Sequence, residues 1–258
     1  MSTSIKTFGS SRVLGALVGA SLAIGVAGAA SAQDTSGIPG TFSANAGLVS
    51  EYYFRGLSQT DDAPAIQGGF DYEVKLADPT ALYLGVWGSN VDFNEGAGVD
   101  GATVEVDLYG GFRGSIGDSG IGWDIGFIYY TYPGAASSLN YDFVEVQGAL
   151  SYDFGLASVA ASVNYSPDNF GESGAAWYPK LALDVPLGKT GITFSGYVAK
   201  QYIDKEDVFG SPDYTEWNLS LGYSIAGFDL SVAYSDTDIS PSADANKEAV
   251  IFSVSRSF

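Results

Sequence analysis

Apolar and polar residues alternate with a period of two along most of the chain from Thr41 onward. In the segment 104–113, one face holds Val104, Val106, Leu108 and Phe112, and the other holds Glu105, Asp107 and Arg113. This period belongs to β-strands, because successive side chains of a strand point to opposite faces. The alternation recurs about twelve times over roughly nine or more residues, the length of a tilted strand that spans a membrane. The sequence therefore predicts an all-β protein with long strands.

The connections between these segments also alternate, in length. Short connections lie at 77–80, 115–120, 155–156, 187–190 and 226–227, and longer, mostly acidic ones at 56–63, 94–102, 133–140, 167–175, 202–213 and 236–246. Outer-membrane barrels show this asymmetry between their two ends, whereas a soluble sandwich has no reason to sort its loops in this way. We therefore predict a transmembrane antiparallel β-barrel of about twelve strands, with both termini in the periplasm and the longer loops outside the cell.

Aromatic residues of the apolar face concentrate at the ends of the predicted strands. One group comprises Phe42, Trp123, Tyr152, Phe154, Tyr223 and Phe228, and the other comprises Tyr52, Phe54, Tyr129, Tyr165, Trp177 and Tyr234. Two aromatic girdles are typical of a membrane barrel, one at each interface. The alternative is a β-sandwich with an aromatic core, which would place these rings in the middle of the strands instead.

The first residues have the features of a secretory signal peptide. Lys6 and Arg12 give a positive start, an apolar run follows over 13–30, and Ala30-Ser31-Ala32 offers a cleavage pattern of small residues. The alternative is a membrane-anchoring helix, but no positively charged flank follows the apolar run. The predicted division is a cleaved signal peptide over 1–32, a short extension over 33–40 and the barrel over 41–258.

Composition excludes several classes of function. The 258 residues include 30 acidic and 11 basic side chains, a formal charge of −19, so nucleic acid is not expected as a partner. The chain has no cysteine and no histidine, and therefore lacks thiolate ligands, the commonest metal ligand and the usual general base. We expect no cofactor, no metal site and no enzymatic activity. The missing histidine in particular counts against a barrel lipase, acyltransferase or protease.

The chain ends on an aromatic residue of an alternating strand. Phe258 shares a face with Val254, Phe252 and Val250. A terminal aromatic residue in this position resembles the signal by which the barrel-assembly machinery recognises outer-membrane barrels. Arg256 departs from that pattern, which usually has an apolar or aromatic residue there, and its guanidinium is expected to reach the membrane interface.

Several stretches of the chain are distinctive enough to suggest a family. They are SEYYFRGLSQT over 50–60 followed by Pro64-Ala65 and QGGFDY over 67–72, GVWGSNVDF over 85–93, DLYGG over 107–111 and YYTYPG over 129–134. Together they resemble the TorF-like porins, a proteobacterial outer-membrane family long carried as a domain of unknown function. The resemblance covers nearly all of the chain after the signal peptide. It implies a single outer-membrane barrel with a channel role, and it brings no established substrate and no catalytic residue.

The polar face of the strands is predicted to line the barrel interior, because the bilayer offers charged side chains no partner. Its charged residues, eight acidic and four basic, are Glu51, Arg55, Asp71, Glu73, Lys75, Glu105, Asp107, Arg113, Asp124, Glu145, Lys180 and Asp184. The acidic excess predicts a narrow channel with a modest preference for cations. The alternative is a plugged lumen in which acids and bases pair, since about twelve strands lie between filled and water-filled barrels.

A second group of residues is predicted to lie at the mouth of the barrel: Gly56, Ser58, Gln59, Thr60, Trp87, Ser89 and Asn90. The residues after Arg55 either fold into the mouth as a constriction or form a tight external turn. Trp87 and Asn90 either face the pore, where they would stack on and bind a sugar, or lie at the membrane interface as an anchoring ring and a turn residue.

The longer loops carry many acidic residues, among them Asp204, Glu206, Asp207, Asp236, Asp238 and Asp244. Their spacing matches no EF-hand loop, so a solvated acidic surface is the default interpretation. The alternative is binding of divalent cations that bridge lipopolysaccharide.

The predicted function is passive diffusion of small polar solutes across the outer membrane of a Gram-negative cell. The expected partners are outer-membrane lipids, lipopolysaccharide and the barrel-assembly machinery. The alternative is a plugged structural or adhesion barrel whose acidic loops contact lipopolysaccharide or a host surface.

Overall fold

Twelve strands of the described residues close into one antiparallel barrel in the computed structural model, which describes residues 37–93 and 99–258. Each barrel strand pairs with the next barrel strand along the chain, and the last pairs with the first, so the ring has no open edge. The strands are β1 Thr41–Val49, β2 Tyr53–Phe54, β3 Leu57–Ser58, β4 Ala65–Ala77, β5 Thr80–Asn90, β6 Val104–Ser115, β7 Ile121–Thr131, β8 Phe143–Asp153, β9 Ser158–Ser166, β10 Ala176–Pro186, β11 Ile192–Ile203, β12 Tyr214–Ile225, β13 Phe228–Thr237 and β14 Ala249–Ser257. Of these, β2 and β3 pair only with each other. The predicted all-β barrel of about twelve strands is confirmed.

Helical structure is confined to the connections. It consists of one short helix, α1 Glu206–Phe209, and 3-10 turns at Ser137–Leu139, Phe170–Glu172 and Asp244–Asn246. No helix among the described residues is long and apolar enough to cross a membrane. The predicted signal peptide over 1–32 lies outside the described residues, as do residues 33–36 of the predicted extension.

The apolar face of the strands forms the outside of the barrel. In β4, Ile66 and Phe70 are 70% and 69% exposed, whereas the neighbouring Gln67 is 6% exposed because it points inward. The outer surface carries Leu48, Leu84, Leu108, Ile125, Val146, Leu150, Leu181, Val198, Leu219, Leu221 and Phe252, all exposed. A contiguous apolar belt around a closed barrel is the surface that a lipid bilayer covers.

The two ends of the barrel differ in their connections. One end, here called the turn end, carries the connections 78–79, 116–120, 154–157, 187–191 and 226–227. The other, the loop end, carries 50–64, 91–103, 132–142, 167–175, 204–213 and 238–248, of which 94–98 lie outside the described residues. The predicted alternation of short and long connections is confirmed. Both described ends of the chain lie at the turn end, where Ala44 and Phe258 exchange backbone hydrogen bonds of 2.8 and 3.1 Å. That this end faces the periplasm stays a prediction.

The prediction for the first strand is wrong beyond its ninth residue. β1 ends at Val49, and Tyr52 and Phe54 do not lie on the outer face. Tyr52 is 1% exposed and lies inside the barrel. Of the other residues predicted for the girdles, eight are exposed near strand ends: Phe42, Tyr152, Phe154, Tyr223 and Phe228 at the turn end, and Tyr129, Trp177 and Tyr234 at the loop end. The two predicted girdle residues that lie inside the barrel, Tyr52 and Phe54, both belong to the segment that follows Val49.

Candidate functional site: the barrel interior

The connection between β1 and β4 folds into the barrel instead of projecting from it. Within this segment, here called the inner hairpin (residues 50–64), β2 and β3 are joined by the turn Arg55-Gly56. Both turn residues have positive φ, 51° and 76°, as the tight type I′ hairpin turn requires. Glycine is needed at 56 also for space, because a Cβ there would lie 2.4 Å from Cγ2 of Thr237 on the wall. The turn is therefore pressed against the barrel.

Arg55 connects the inner hairpin to strands across the lumen. Its side chain is buried, with Nη2 donating to Oε2 of Glu145 in β8 at 2.6 Å and Nη1 donating to Oε1 of Gln201 in β11 at 3.0 Å. The hydroxyl of Tyr214 in β12 donates to the Arg55 carbonyl at 2.9 Å. The guanidinium carbon also lies 4.1 Å from the ring centroid of Tyr178, within cation–π range. Four strands lie between β1 and β8 along one side of the ring and six along the other, so the hairpin spans the interior.

Two buried glutamates face the tip of the inner hairpin. Besides Arg55, the carboxylate of Glu145 accepts hydrogen bonds from the Tyr130 hydroxyl at 3.3 Å and from Nδ2 of Asn164 at 2.9 Å. Glu216 is fully buried and accepts a hydrogen bond from the hydroxyl of Tyr178. Buried carboxylates of this kind are tolerated only when donors or a counter-charge surround them. The barrel wall thus places two carboxylates, of opposite charge to the Arg55 guanidinium, beside the hairpin tip.

Aromatic packing holds the stem of the inner hairpin. The Tyr52 ring meets Trp87 of β5 edge to face at 5.6 Å, and the Phe54 ring meets Tyr130 of β7 in the same way at 5.6 Å. Tyr53 is also buried, and its hydroxyl donates to the Lys247 carbonyl at 3.3 Å. Two consecutive aromatic residues, Tyr52 and Tyr53, are therefore buried and Phe54 is partly buried, which no strand with one lipid face could achieve.

Polar contacts fasten the inner hairpin at the rim of the loop end. The Ser58 hydroxyl donates to Glu51 at 2.6 Å, and Nζ of Lys247 donates to Asp62 at 2.6 Å. The hydrogen bond to Asp62 raises the pKa of Lys247 above its ordinary value. Because this ion pair is open to solvent, it contributes little to the attachment compared with the buried Arg55 pair.

Below the inner hairpin, two tyrosines lie flat against the wall. Tyr109 of β6 faces Gly85 of β5 in the register, and a Cβ at 85 would lie 2.3 Å from its ring. Tyr83 of β5 in turn lies over Gly111 and Gly126, with its hydroxyl 2.6 and 2.4 Å from where their Cβ atoms would be. Glycines at these inward positions let the rings lie along the sheet, so that they do not project into the lumen.

The turn-end half of the interior is lined by charged groups that water reaches. Arg113 forms an ion pair with Glu73, and the two side chains are 27% and 35% exposed although both point into a closed barrel. Asp124 accepts a hydrogen bond from the Tyr83 hydroxyl at 2.8 Å, and Asp184 accepts one from Ser195 at 2.5 Å; both are partly exposed. This half of the lumen is therefore open to water.

The strands bring most of the predicted lumen residues to the inward face. They are Asp71, Glu73, Glu105, Asp107, Arg113, Asp124, Glu145, Lys180 and Asp184. Lys75 has the same parity, but its side chain is 83% exposed at the turn end, 4.0 Å from Asp78. Glu51 and Arg55 were predicted as wall residues of the first strand; both belong to the inner hairpin, because β1 ends before them. That these residues line a path for solutes stays a prediction.

The residues predicted at the mouth divide between the inner hairpin and β5. Gly56 lies at the hairpin tip, and Ser58, Gln59 and Thr60 form hydrogen bonds within the hairpin. Trp87 and Ser89 point inward, so an interfacial position for Trp87 is excluded. Asn90 is exposed on the outer side and binds the backbone of Ile66 and Pro64, which excludes a pore-facing amide. Of the two alternatives for residues 56–60, the fold inside the barrel is the one observed.

Four residues that hold the inner hairpin were not predicted: Tyr178, Gln201, Tyr214 and Glu216. A signal existed for Glu216, which has the same parity as Asn218 and Ser220 on β12. The other three are also inward by parity, but nothing in the sequence connects them with Arg55.

The loop acids mostly cap backbone groups. Asp236 and Asp238 accept hydrogen bonds from the amides of Thr237 and Thr215 at 2.8 and 2.6 Å, and Glu206 accepts one from the Asp213 amide. Within residues 37–93 and 99–258, no three or more acidic side chains are grouped so as to hold a metal ion.

Comparisons with known proteins place the chain in a family. A search of curated proteins finds no match. Among solved structures, an outer membrane channel from Pseudomonas putida F1 aligns with a TM-score of 0.53 and 11% identity, over 86% of this chain and 96% of that chain. The outer membrane channel DcaP of Acinetobacter baumannii aligns with a TM-score of 0.45 and 8% identity, over 85% and 96%. The first likeness shows a shared barrel fold.

The TorF-like resemblance stays a prediction, because the family model that matches, over residues 32–258, carries another description. The chain belongs to that family, described as a bacterial protein of unknown function (Gcw_chp).

Proposed function

We propose that the protein is a passive channel of the Gram-negative outer membrane for small polar solutes, narrowed at its loop end by the inner hairpin. The observation that carries the proposal is the water-exposed charged lining below the hairpin, where Arg113 and Glu73 remain partly exposed inside a closed ring. A barrel built only for rigidity would fill such a lumen with side chains. The apolar outer belt supports a membrane location, and the TorF-like resemblance supports the porin class. No catalytic role is proposed for any residue.

The expected orientation places the turn end in the periplasm and the loop end outside the cell. Phe258 is then the terminal aromatic that the assembly machinery recognises, and it is exposed on the outer face beside Arg256, whose guanidinium lies 5.3 Å from its ring. The loop end would meet lipopolysaccharide. Protease digestion of whole cells tests the orientation, since only loop-end segments should be cut.

The charge of the lumen predicts the preferred ion. Acidic side chains outnumber basic ones on the inward face, so the purified protein in a planar bilayer should conduct in discrete steps and favour K⁺ over Cl⁻. The measurement is the reversal potential in a KCl gradient. A reversal potential of the sign for Cl⁻ would contradict the cation preference, and a folded barrel without any steps would contradict the channel.

A second candidate is a plugged barrel. It is favoured by one observation, namely that the inner hairpin reaches β8, β11 and β12 through buried contacts. The same bilayer recording distinguishes the two candidates, because a plugged barrel stays silent until the hairpin is removed.

A methyl group at Gly85 should narrow the lumen. The three atoms nearest to a Cβ at this position all belong to the Tyr109 side chain, so Gly85→Ala pushes that ring off the wall instead of moving the backbone. We expect a folded barrel with a smaller single-channel conductance than the wild type. The double variant Gly85→Ala/Tyr109→Ser removes the displaced ring and should recover the conductance. Equal conductance in wild type and Gly85→Ala would refute the flat packing of Tyr109.

A further inference from the structure

Two carboxylates on the inward face of β6 are less fully hydrogen-bonded than Glu145 and Glu216, the other buried acids described above. Glu105 and Asp107 are two residues apart on one strand, hence on the same face, and are 1% and 2% exposed. Oε2 of Glu105 and Oδ1 of Asp107 are buried with no hydrogen-bond partner among the described residues. Each of these two neighbouring buried acids therefore has one carboxylate oxygen that accepts no hydrogen bond from the described residues.

Among the residues that the structure describes, no positively charged group acts directly on this pair. The charges that act most strongly on Asp107 are those of Glu105 and Glu145, and both are acidic. Arg55 is engaged by Glu145 and Gln201. The remaining neighbours are polar oxygens and rings: the hydroxyls of Tyr52 and Tyr132 donate to Glu105, Ser89 faces it across the strands, and Trp87 faces Asp107.

Buried carboxylates without a counter-charge cost folding free energy, and they avoid that cost by taking up a proton or a cation. A set of carboxylate and hydroxyl oxygens with no nitrogen or sulfur suits a hard cation, and two negative charges balance one divalent ion. Tyr52 of the inner hairpin is buried beside both carboxylates, so an ion there would be in contact with the hairpin.

We propose that Glu105 and Asp107 bind one hard divalent cation, of the Ca²⁺ class, beneath the inner hairpin. The site goes beyond the channel proposal and does not depend on it, since a plugged barrel would hold the ion equally well. It also departs from the composition, which predicts no metal site because histidine and cysteine are missing.

Terbium luminescence tests the proposal on the full-length barrel in detergent, with EDTA-treated protein as the start. Tb³⁺ replaces Ca²⁺ at oxygen sites, and energy transfer from Trp87 and the nearby tyrosines should sensitise its emission, with Ca²⁺ competing. We expect Glu105→Gln/Asp107→Asn to lose at least roughly tenfold in affinity. The matched control is Glu73→Gln in the turn-end half, which should bind as the wild type does. Unchanged binding in the double variant would assign the signal to the acidic loops and overturn the site.

Thermal unfolding provides a second readout that does not depend on luminescence. In EDTA, the double variant should unfold at a higher temperature than the wild type, because it lacks the unbalanced buried charge. In Ca²⁺, the order should reverse, since only the wild type gains stability from the ion. A wild type that is indifferent to Ca²⁺ and shows no sensitised Tb³⁺ emission would show that protons alone neutralise the pair. Conductance recorded on the same samples reports separately on the channel.

Discussion

Replacing residues 50–64 by an Asn-Gly turn is expected to raise the single-channel conductance severalfold while leaving the barrel folded. Val49 and Ala65 are directly paired in the β1–β4 ladder, so a two-residue type I′ turn joins these strands without moving either of them. The variant removes the backbone that carries Arg55 across the lumen to β8 and β11. Below the hairpin the lining is already exposed to water, so removal of the hairpin should widen the path.

Planar bilayer recording in symmetric KCl measures the effect, and heat-modifiable migration on a gel checks that both barrels are closed. The matched control shortens the connection 204–213, whose α1 segment is exposed and makes no contact with the inner hairpin that the structure records. This control should conduct as the wild type does. Identical conductance in the hairpin variant and the wild type would mean that the hairpin does not obstruct the path. A silent wild type beside a conducting variant would favour the plugged barrel.

Alternation predicted the fold because lipid and water impose opposite polarity on every second residue of a barrel strand. It worked best where this contrast is strong, as in β6 and β8, where every charged residue points inward except the exposed Asp153 at the end of β8. It failed at 52–54, where three consecutive aromatic residues follow Val49. Such a run shows no contrast of polarity between neighbouring residues, so the alternation gives no evidence that the chain continues along the wall there.

The sequence predicts which residues line the lumen, but it does not predict which of them contact one another. Parity alone is sufficient to place Glu145 and Glu216 in the lumen. The partnership of Arg55 with Glu145 joins residues 90 positions apart and depends on the path of the inner hairpin, which no local pattern encodes. For the same reason, the one unpartnered oxygen on each of Glu105 and Asp107 becomes apparent only when all described neighbours are in place.

Glu145→Ala is expected to release the inner hairpin and expose Arg55 to trypsin. In the wild type, Arg55 is 6% exposed and its guanidinium is held by Glu145, so cleavage after this residue should be very slow. Removing one partner of a buried ion pair costs about 3–5 kcal/mol, because the other charge is left buried and unpaired. Detachment of the hairpin hydrates the unpaired Arg55. The free energy of detachment is therefore lower in the variant than in the wild type. The detached population should rise roughly 10²- to 10⁴-fold, and the cleavage rate should follow it.

Limited trypsin digestion of the folded barrel, followed by boiling and mass measurement of the fragments, detects a cut after Arg55 directly. Glu73→Ala is the matched control, because it breaks the Arg113 pair in the turn-end half and should leave Arg55 protected. Glu145→Gln should fall between wild type and Glu145→Ala, since an amide oxygen can still accept a hydrogen bond although its charge is lost. If Glu145→Ala resists cleavage as the wild type does, the aromatic stem formed by Tyr52 and Phe54 is sufficient to hold the hairpin. The buried ion pair would then determine only where the tip lies in the lumen.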